Sequence, residues 1–337
     1  MHLDDQTLPG WLAARERPRL EPPLRVEPAG EGNINYVRRV RDARGRSVVV
    51  KHARAALERF PEYRVHPRRL IFEHRYGETV RRLAESVASV LPAEIDFDPE
   101  LPAIVMEDVC DSLPLADALA RGSADPAALE TLGSFLGTVH SASASHVASL
   151  RGHFDNGEMR ALHGEHIFTL PFEPNDFGVA PAIADEARGR IDRAGVRQRI
   201  RELRDLYYGS SEGLVHGDVQ GTNVLLQGPR PRLLDAEISH LGDPAFDLGI
   251  ALAHLDLEGI RRGGAPLPER GPASPEAAAL LEGYRKAGGT HAWIARSRGY
   301  QAVELLRRTL GAARLRPLEE PGTAARAVGR ALALLTS

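Results

Sequence analysis

Residues 214–227 read LVHGDVQGTNVLLQ, which places Asp218 and Asn223 five residues apart in a loop that runs into an apolar strand. The segment LLDAE follows and adds Asp235 and Glu237. Phosphoryl transfer needs a carboxylate near the attacking hydroxyl and oxygen ligands that hold Mg²⁺ on the phosphates. Because Mg²⁺ prefers carboxylates and other oxygen ligands, we predict that Asn223, Asp235 and Glu237 hold this metal. Asp218 is then free to orient the hydroxyl and to accept its proton.

Each of these residues has a simpler interpretation when it is taken singly. An aspartate often caps a turn or a helix, and a glutamate after a strand is often solvated. The joint spacing with His216 and Gly217 favours a functional site, because the whole pattern rarely arises by chance. We expect His216 to bond to the backbone and fix the loop. In the later segment GDPAFDLG, we expect Asp243 to cap a helix and Asp247 to brace the catalytic loop.

The N-terminal region has the pattern of a small antiparallel sheet. Residues 29–53, AGEGNINYVRRVRDARGRSVVVKHA, read as strands separated by a glycine turn and by a second turn at 42–45. From about Arg68 the pattern indicates a helix, and EIDFD and AIVMEDV indicate two further strands. We therefore predict five strands and one helix, ending near Asp108. The apolar face of that helix is formed by residues at helical spacing: Tyr76, Val80, Leu83 and Val87.

Two features of this region suggest contacts with the phosphates of a nucleotide. A turn containing Gly30, Gly32 and Asn33 can bring backbone amides close to phosphate oxygens, although a glycine turn alone is usually part of a hairpin. Lys51 ends a valine-rich strand, and Lys51 and Lys286 are the only lysines among 43 basic residues. A compact ammonium suits a phosphate oxygen, whereas a lone strand lysine is more often solvated.

An acidic partner for this lysine is expected on the helix that follows. Glu73 lies 22 residues after Lys51, just before the apolar helical face. We predict that these two side chains form an ion pair near the cleft. The competing candidates are Glu58, Glu62 and Glu78.

The segment MEDV, residues 106–109, follows an apolar strand. Its position resembles the hinge of nucleotide-binding kinases, and the resemblance implies that backbone groups of Glu107 and Val109 bind the edge of an adenine. The alternative is an ordinary strand end.

Beyond this segment the pattern is mainly helical. Pro126 occupies a typical first helical position, and another helix is indicated from about Pro244, after the two short strands VLLQ and RLLD. Residues 143–183 have little periodicity, which is typical of an insertion or a mobile loop, whereas residues 185–207 read as helix. Residues 260–275 read as a loop, and the remainder reads as two or three helices.

The strings HGDVQGTN, LLDAE and GDPAFDLG resemble the aminoglycoside phosphotransferase and choline kinase superfamily, whose members are relatives of protein kinases. Within that superfamily, GEGNINYV, VVVKHA and RRTLGAA resemble methylthioribose kinase, and the likeness spans roughly residues 25–315. The resemblance implies ATP and Mg²⁺ as cofactors. It also implies that Asp218 is the catalytic aspartate and that Lys51 contacts the α- and β-phosphates.

The same resemblance implies that Arg307 and Arg308 bind the substrate or steady the transferred phosphate, although adjacent arginines on a helix are usually solvated. It implies a homodimer as the assembly. The chain departs from methylthioribose kinases at three places. It carries Asn223 where they have a serine and DAEI where they have DPEF. FPEYRVHPRR stands where they have a tryptophan-bearing loop.

Composition narrows the class of partner. The chain has 337 residues, with 42% hydrophobic and 26% charged residues, which is typical of a soluble globular protein with two lobes. A formal net charge of -3 argues against nucleic acid or a membrane as the partner and favours a small molecule. Cys110 is the only cysteine, and the N-terminus lacks the pattern of a secretion signal. We therefore expect a cytoplasmic protein without an internal disulfide. The thirteen histidines lack the spacing of a zinc site.

These observations predict an α+β, protein-kinase-like two-lobed fold. Residues 1–108 would form the N-terminal nucleotide-binding lobe, and residues 109–337 the larger, mainly helical catalytic and substrate-binding lobe. The predicted function is that of an ATP-dependent small-molecule kinase acting on an alcohol group, with a methylthioribose-like sugar as acceptor. The alternatives are an aminoglycoside, an amino alcohol or another small alcohol as acceptor, a nucleotide-binding pseudokinase scaffold, and a metal-dependent phosphohydrolase.

Overall fold

The first part of the chain forms a five-stranded antiparallel sheet. The computed structural model describes residues 3–30, 35–54, 65–174, 179–262, 272 and 274–336. The order of the strands across the sheet is β1-β2-β3-β5-β4, and their bounds are β1 (Arg25–Pro28), β2 (Asn35–Arg41), β3 (Ser47–Ala53), β4 (Glu94–Asp98) and β5 (Ala103–Glu107).

The hairpin between β2 and β3 fixes the direction in which Lys51 points. The Asp42 carboxylate accepts hydrogen bonds from the backbone N–H groups of Arg44 and Arg46, each at 2.9 Å, which closes the turn. Val50 lies on the sheet face that packs in one core with the N-terminal helix α1 (Leu8–Ala13). Because neighbouring residues of a strand point to opposite faces, Lys51 points to the other face, where the next helix lies.

That helix is α2 (Arg69–Leu83), which lies between β3 and β4 in the chain. It ends four residues before Val87, so the expectation that Val87 belongs to the same helical face is wrong. Ala84 leaves the helical conformation at φ −138°, and the chain continues as a 3₁₀ helix, Glu85–Val90. The apolar spacing persists through the break and therefore does not reveal it.

The larger second lobe is mainly helical. Its helices are α3 (Leu115–Arg121), α4 (Pro126–Ala144), α5 (Val147–Leu150), α6 (Gly157–Phe168), α7 (Pro181–Arg193), α8 (Arg197–Gly209), α9 (Ala245–Arg262), α10 (Pro275–Lys286), α11 (His291–Leu310) and α12 (Pro321–Thr336). Its short strands are β6 (Leu113–Pro114), β7 (Gly213–Val215), β8 (Val224–Gln227), β9 (Arg230–Leu233) and β10 (His240–Gly242). They pair as β6-β8-β9 and as β10-β7.

The prediction that residues 143–183 form an insertion or a mobile loop is wrong for the described residues as far as a loop is concerned, whereas the insertion stays a prediction. The segment contains α5, α6 and the start of α7. The buried face of α6 includes His163 and Gly164 beside its apolar residues. Because these two residues are not apolar, the helical period is hidden from the sequence.

Close helix packing builds the core of this lobe. A Cβ on Gly133 of α4 would lie 2.0 Å from the carbonyl oxygen of Leu280, and one on Gly283 of α10 would lie 2.0 Å from that of Glu130. Only glycine allows the two helix backbones to approach so closely. Among the described residues, no helix combines the length and apolarity needed to cross a membrane.

Candidate active site

The loop after β7 is held in place by a buried carboxylate on α9. Asp247 accepts hydrogen bonds from the backbone N–H groups of His216, at 2.7 Å, and Gly217, at 2.8 Å. It also lies 3.1 Å from Nε2 of His140. Burial alone would raise the pKa of Asp247, but the hydrogen bond from His140 lowers it below its ordinary value. The expected bracing of the loop by Asp247 is therefore seen in the structure.

The loop itself needs a glycine at one position. Gly217 has φ +90°, and a Cβ there would lie 3.0 Å from the carbonyl oxygen of Ile238. A side chain at this position would be strained and crowded. The next residue is Asp218, so this turn sets where the carboxylate of Asp218 emerges.

Asp218 is half-buried and is bonded on one oxygen. Its Oδ2 accepts from Nε2 of Gln220 at 2.9 Å and from Nδ2 of Asn223 at 2.8 Å. Burial raises the pKa of Asp218 to about 6, although the charges of Arg307 and Arg308 act to lower it. Such a carboxylate is ionised at neutral pH and can accept a proton from a substrate.

Asp235 lies close to this loop. The backbone N–H of Leu234 donates to the carbonyl oxygen of Asn223 at 2.8 Å, which fixes the two chain segments side by side. Asp235 adopts a left-handed backbone conformation, φ +66°, and its carboxylate contacts the ammonium of Lys51. The Asp235 side chain is 43% exposed, so it remains accessible from the cleft between the lobes.

Lys51 is buried and surrounded by carboxylates. Its Nζ lies 2.6 Å from Oε2 of Glu73 and 3.9 Å from Oε2 of Glu237. Burial would lower the pKa of Lys51, but Asp235, Glu73 and Glu237 together raise it above its ordinary value. Burial raises the pKa of Glu73, although the charge of Lys51 acts to lower it. The nearby carboxylates of Asp235 and Glu237 also raise it, because one ammonium cannot compensate three carboxylates. Conversely, Lys51 lowers the pKa of Asp235 against the effect of burial.

Glu237 connects the two lobes. Its Oε2 accepts from Nδ2 of Asn35 on β2 at 2.9 Å and from Nε of Arg69 on α2 at 3.2 Å. Nη2 of Arg69 in turn donates to Oδ1 of Asn35 at 2.7 Å. The Glu237 side chain is only 9% exposed. It therefore belongs to a buried network and is less open to the cleft than Asp235.

The two predicted arginines are buried rather than solvated. Arg307 and Arg308, both on α11, share the fully buried Glu304. Arg307 Nη1 lies 3.0 Å from Glu304 Oε2, and Arg308 Nε lies 2.6 Å from Oε1. Burial would raise the pKa of Glu304, but the two guanidinium groups hold it well below its ordinary value. Nη2 of Arg308 donates to Oε1 of Gln220 at 2.6 Å, which connects the pair to the catalytic loop.

The predicted hinge follows β5. The side chain of Glu107 contacts Arg232 and accepts from the backbone N–H of Ala93 at 3.0 Å. The carbonyl oxygen of Val109 accepts from the hydroxyl of Ser112 at 2.8 Å. Within the described part of the chain, the N–H of Val109 donates to no backbone carbonyl. This donor is therefore available to a ligand.

The structure brings the predicted residues together in two groups. Lys51, Glu73, Asp235 and Glu237 meet between the lobes, and Asp218, Asn223, Arg307 and Arg308 meet in the second lobe. Gly30 has φ +127°, a conformation that favours glycine. Gly32 and Asn33 lie outside the described residues, as do the competing Glu58 and Glu62. Glu78 does not contact Lys51 but lies 3.3 Å from His74.

Four residues of these groups were not singled out in the sequence. Glu304 could have been found, because an acid three and four residues before adjacent arginines is the spacing of helix ion pairs. Gln220 lies inside the catalytic motif but has no characteristic chemistry of its own. Asn35 and Arg69 contact Glu237 from distant parts of the chain, and no local pattern reports such contacts.

The described residues contain no group of three or more His, Cys, Asp and Glu side chains arranged to hold a metal ion. The predicted metal set combines two carboxylates with the amide of Asn223, so this finding does not test it. The assignment of Asn223, Asp235 and Glu237 to Mg²⁺ stays a prediction.

Comparison with known proteins identifies the family of the chain. A family model described as the phosphotransferase enzyme family matches residues 25–293. Methylthioribose kinase from Bacillus velezensis is 26% identical over 332 residues, covering 86% of this chain and 79% of that protein. Methylthioribose kinase from Yersinia pestis is 27% identical over 329 residues, with the same shares of both chains.

Among solved structures, a choline/ethanolamine kinase family protein from Mesorhizobium loti superposes with a TM-score of 0.51 at 17% identity, covering 98% of each chain. This likeness shows the fold, and the predicted protein-kinase-like architecture is confirmed. The predicted superfamily and enzyme class are confirmed as well. Because the family model matches most of its length, the chain belongs to the phosphotransferase enzyme family.

Proposed function

We propose that the chain is an ATP-dependent kinase that transfers the γ-phosphate to a hydroxyl group of a small sugar related to methylthioribose. The observation that carries this proposal is the position of Asp218. Its carboxylate is oriented by two amide groups, and the charges of Asp235 from the Lys51 group and of the arginine pair both act on it. That arrangement combines a base for the hydroxyl with cations for the phosphate, which are the parts that phosphoryl transfer requires.

Residues of the N-terminal lobe are assigned to the nucleotide. Lys51 is held by Glu73 at 2.6 Å and would contact the phosphates, because its buried ammonium is a strong donor to an anionic oxygen. The backbone groups of Glu107 and Val109 would bind the adenine edge. The turn at Gly30, Gly32 and Asn33 would cover the phosphates with backbone amides.

A bound Mg²⁺ fits part of the predicted donor set. The amino group of Asn223 faces Asp218, so its amide oxygen is directed elsewhere and can serve as a ligand. Asp235 offers an accessible carboxylate, and Mg²⁺ commonly takes one or two carboxylates together with phosphate oxygens. Glu237 fits less well, because Asn35 and Arg69 already bond to its Oε2. Mg²⁺ would supply charge neutralisation on the phosphates.

In the proposed reaction, Asp218 orients the acceptor hydroxyl in line with the γ-phosphorus. The hydroxyl oxygen forms a bond to phosphorus while the bond from phosphorus to the β–γ bridging oxygen breaks. The hydroxyl proton passes to Asp218, and ADP leaves with the bridging oxygen. Arg307 and Arg308 would stabilise the negative charge that spreads over the transferred group.

The charges around Asp218 favour a neutral acceptor over an amine. The carboxylates of Asp218 and Glu304 are balanced by the buried guanidinium groups of Arg307 and Arg308. This leaves no excess negative charge to attract a cation, and cationic acceptors such as an aminoglycoside or choline would meet like charge nearby. The two methylthioribose kinases that resemble this chain are named for a sugar substrate, which agrees with this choice.

The test is a phosphotransfer assay with ATP and Mg²⁺ on a panel that contains methylthioribose, other pentoses, choline and an aminoglycoside. Mass spectrometry would detect the gain of one phosphate. We expect methylthioribose or a related sugar to be phosphorylated with the highest kcat/KM. D218N should lose about 10²–10⁴-fold in kcat, the usual contribution of a general base. D205N, which alters an exposed aspartate of α8, is the matched control and should remain active.

Each rival has its own outcome in this assay. If the wild type and D218N are equally inert on the whole panel, the chain is a pseudokinase scaffold. If phosphate is released without a phosphorylated acceptor, it is a phosphohydrolase. If choline or an aminoglycoside is the preferred acceptor, the kinase assignment stands and the sugar assignment is wrong.

Two further features are proposed, the boundary between the lobes from the sequence pattern and the assembly from the family resemblance. The boundary between the lobes is placed at residues 108 and 109, within the hinge segment. The assembly is proposed to be a homodimer, which light scattering of the purified chain would test.

A further inference from the structure

Gln220 lies between the catalytic carboxylate and one of the two arginines. Its Nε2 donates to Oδ2 of Asp218 at 2.9 Å, and its Oε1 accepts from Nη2 of Arg308 at 2.6 Å. Neither the motif nor the family resemblance assigned a role to this side chain. The contacts make it the only described side chain that bonds to both groups.

The two neighbours of Gln220 determine the orientation of its amide. A guanidinium group has donors only, and an ionised carboxylate has acceptors only. The amide oxygen must therefore face Arg308, and the amino group must face Asp218. Any side chain that replaces Gln220 in this role has to accept at one end and donate at the other.

This orientation has a consequence for Asp218. Oδ2 receives N–H groups from both Gln220 and Asn223. No hydrogen bond within the described residues reaches Oδ1. Two donors on one oxygen fix the plane of the carboxylate and leave the other oxygen to a ligand.

We propose that Gln220 is a positioning residue that fixes the Asp218 carboxylate, so that Oδ1 is the oxygen that meets the acceptor hydroxyl. The inference rests on the proposed function and specifies its geometry. In the transfer step, the hydroxyl oxygen bonds to the γ-phosphorus, the bond from phosphorus to the bridging oxygen breaks, and the proton goes to Oδ1. The lone pairs of Oδ2 that face Gln220 and Asn223 remain engaged throughout.

Three substitutions at this position separate its donor and acceptor functions. Q220M keeps the length of the side chain and removes both functions. Q220E keeps the acceptor for Arg308 but presents a carboxylate to Asp218, where like charges repel. Q220H can donate from one ring nitrogen and accept with the other, as neutral imidazole does.

We expect kcat of Q220M to fall on the order of tenfold, which is the effect of losing a hydrogen bond to a charged group. The KM for ATP should change by less than about twofold, because Gln220 does not face the nucleotide side. Q220E should be slower than Q220M. Q220H should recover several-fold over Q220M. Q198M, which alters an exposed glutamine of α8, is the matched control and should behave as the wild type.

A merely structural glutamine would give a different pattern. The three variants would then differ in thermal stability alone, and kcat per folded molecule would not follow the order His, Met, Glu. A Q220M enzyme with wild-type kcat, or a Q220H enzyme no faster than Q220M, overturns the proposal.

A second measurement separates this inference from the proposed function. If the wild type phosphorylates no acceptor, the function fails, but the link between Gln220 and Arg308 can still be read from urea unfolding of Q220M, R308K and the double variant. R308K keeps the charge against Glu304 but lacks the second nitrogen that reaches Gln220. We expect the two effects on stability to be non-additive. Additive effects would show that Gln220 is not held by Arg308 and would overturn the proposal.

Discussion

The two charged groups of the site are built in different ways. The Lys51 group joins the lobes: three carboxylates, Glu73, Asp235 and Glu237, face Lys51 and Arg69, so negative charge is in excess. The Asp218 group lies within one lobe, where Glu304 and Asp218 balance Arg307 and Arg308 of α11.

The difference indicates what each group is suited to do. An excess of buried carboxylate is favourable only where a cation can join it, which fits a site for a metal and a nucleotide. A balanced group held by one helix and one loop keeps its shape without a ligand, which fits the orientation of an acceptor hydroxyl. Changes in the Lys51 group should therefore alter nucleotide binding, and changes in the Asp218 group should alter the chemical step.

The largest effect is expected for K51M, which removes the only ammonium from the first group. Three carboxylates would then face Arg69 alone, and the phosphates would lose their buried cation. We expect kcat/KM for ATP to fall by about 10²–10³-fold and the free energy of unfolding to fall by about 3 kcal/mol, as when a buried ion pair loses one partner. Steady-state kinetics and urea unfolding measure the two effects.

K286M provides the control, because Lys286 is the only other lysine and forms an exposed pair with Glu130 on the second lobe. Its activity should equal that of the wild type. A K51M enzyme that keeps its activity within tenfold of K286M would show that Lys51 does not contact the phosphates, and the comparison between the two groups would lose its basis.

The next largest effect is expected for E304Q, in the second group. The neutral amide would leave Asp218 as the remaining counter-charge for the buried guanidinium groups of Arg307 and Arg308. We expect the free energy of unfolding to fall by about 3 kcal/mol, measured by urea unfolding. E282Q alters an exposed glutamate of α10 that pairs with Arg285, and it should leave the free energy of unfolding close to that of the wild type. Equal stability of the two variants would mean that Glu304 does not hold the arginine pair.

The sequence predicted the parts of this site that lie within one segment or on neighbouring elements of the chain. Asp218 and Asn223 are five residues apart, and the structure bonds them to each other. Lys51 and Glu73 come from a strand and the next helix, so the spacing between them was informative. The roles of these residues in catalysis and nucleotide binding stay predictions, but their positions relative to one another agree with the pattern.

The contacts that the sequence did not predict join distant segments or depend on which face of a helix is buried. Glu237 was assigned to the metal from its place after Asp235, yet Asn35 and Arg69 also reach it, from 202 and 168 residues away. Packing between lobes decides such contacts, and no local spacing records them. The sequence also did not predict α6. Buried His163 and Gly164 lie on its inner face, whereas a helical period is recognised from apolar side chains on that face.

The smallest effect, and the one that probes the second group most directly, concerns pH. Burial raises the pKa of Asp218 to about 6, so below this pH the carboxyl is protonated in the free enzyme and cannot accept the hydroxyl proton. We expect kcat/KM for the acceptor to be constant above about pH 7 and to fall about tenfold for each pH unit below 6. A carboxylate with an ordinary pKa would keep the enzyme active to near pH 4.

The charge of Arg307 determines the direction in which the acid limb of the pH profile should move when this residue is replaced. Its positive charge acts to lower the pKa of Asp218, so R307M should raise that pKa and move the acid limb of the profile from pH 6 toward about pH 7. R285M, which alters an exposed arginine of α10, should leave the limb where it is. A limb that stays in place in R307M, or moves to lower pH, would mean that the arginine pair does not act on the Asp218 carboxylate. In that case the balance of charge in the second group would be a feature of packing alone, without influence on the proton transfer.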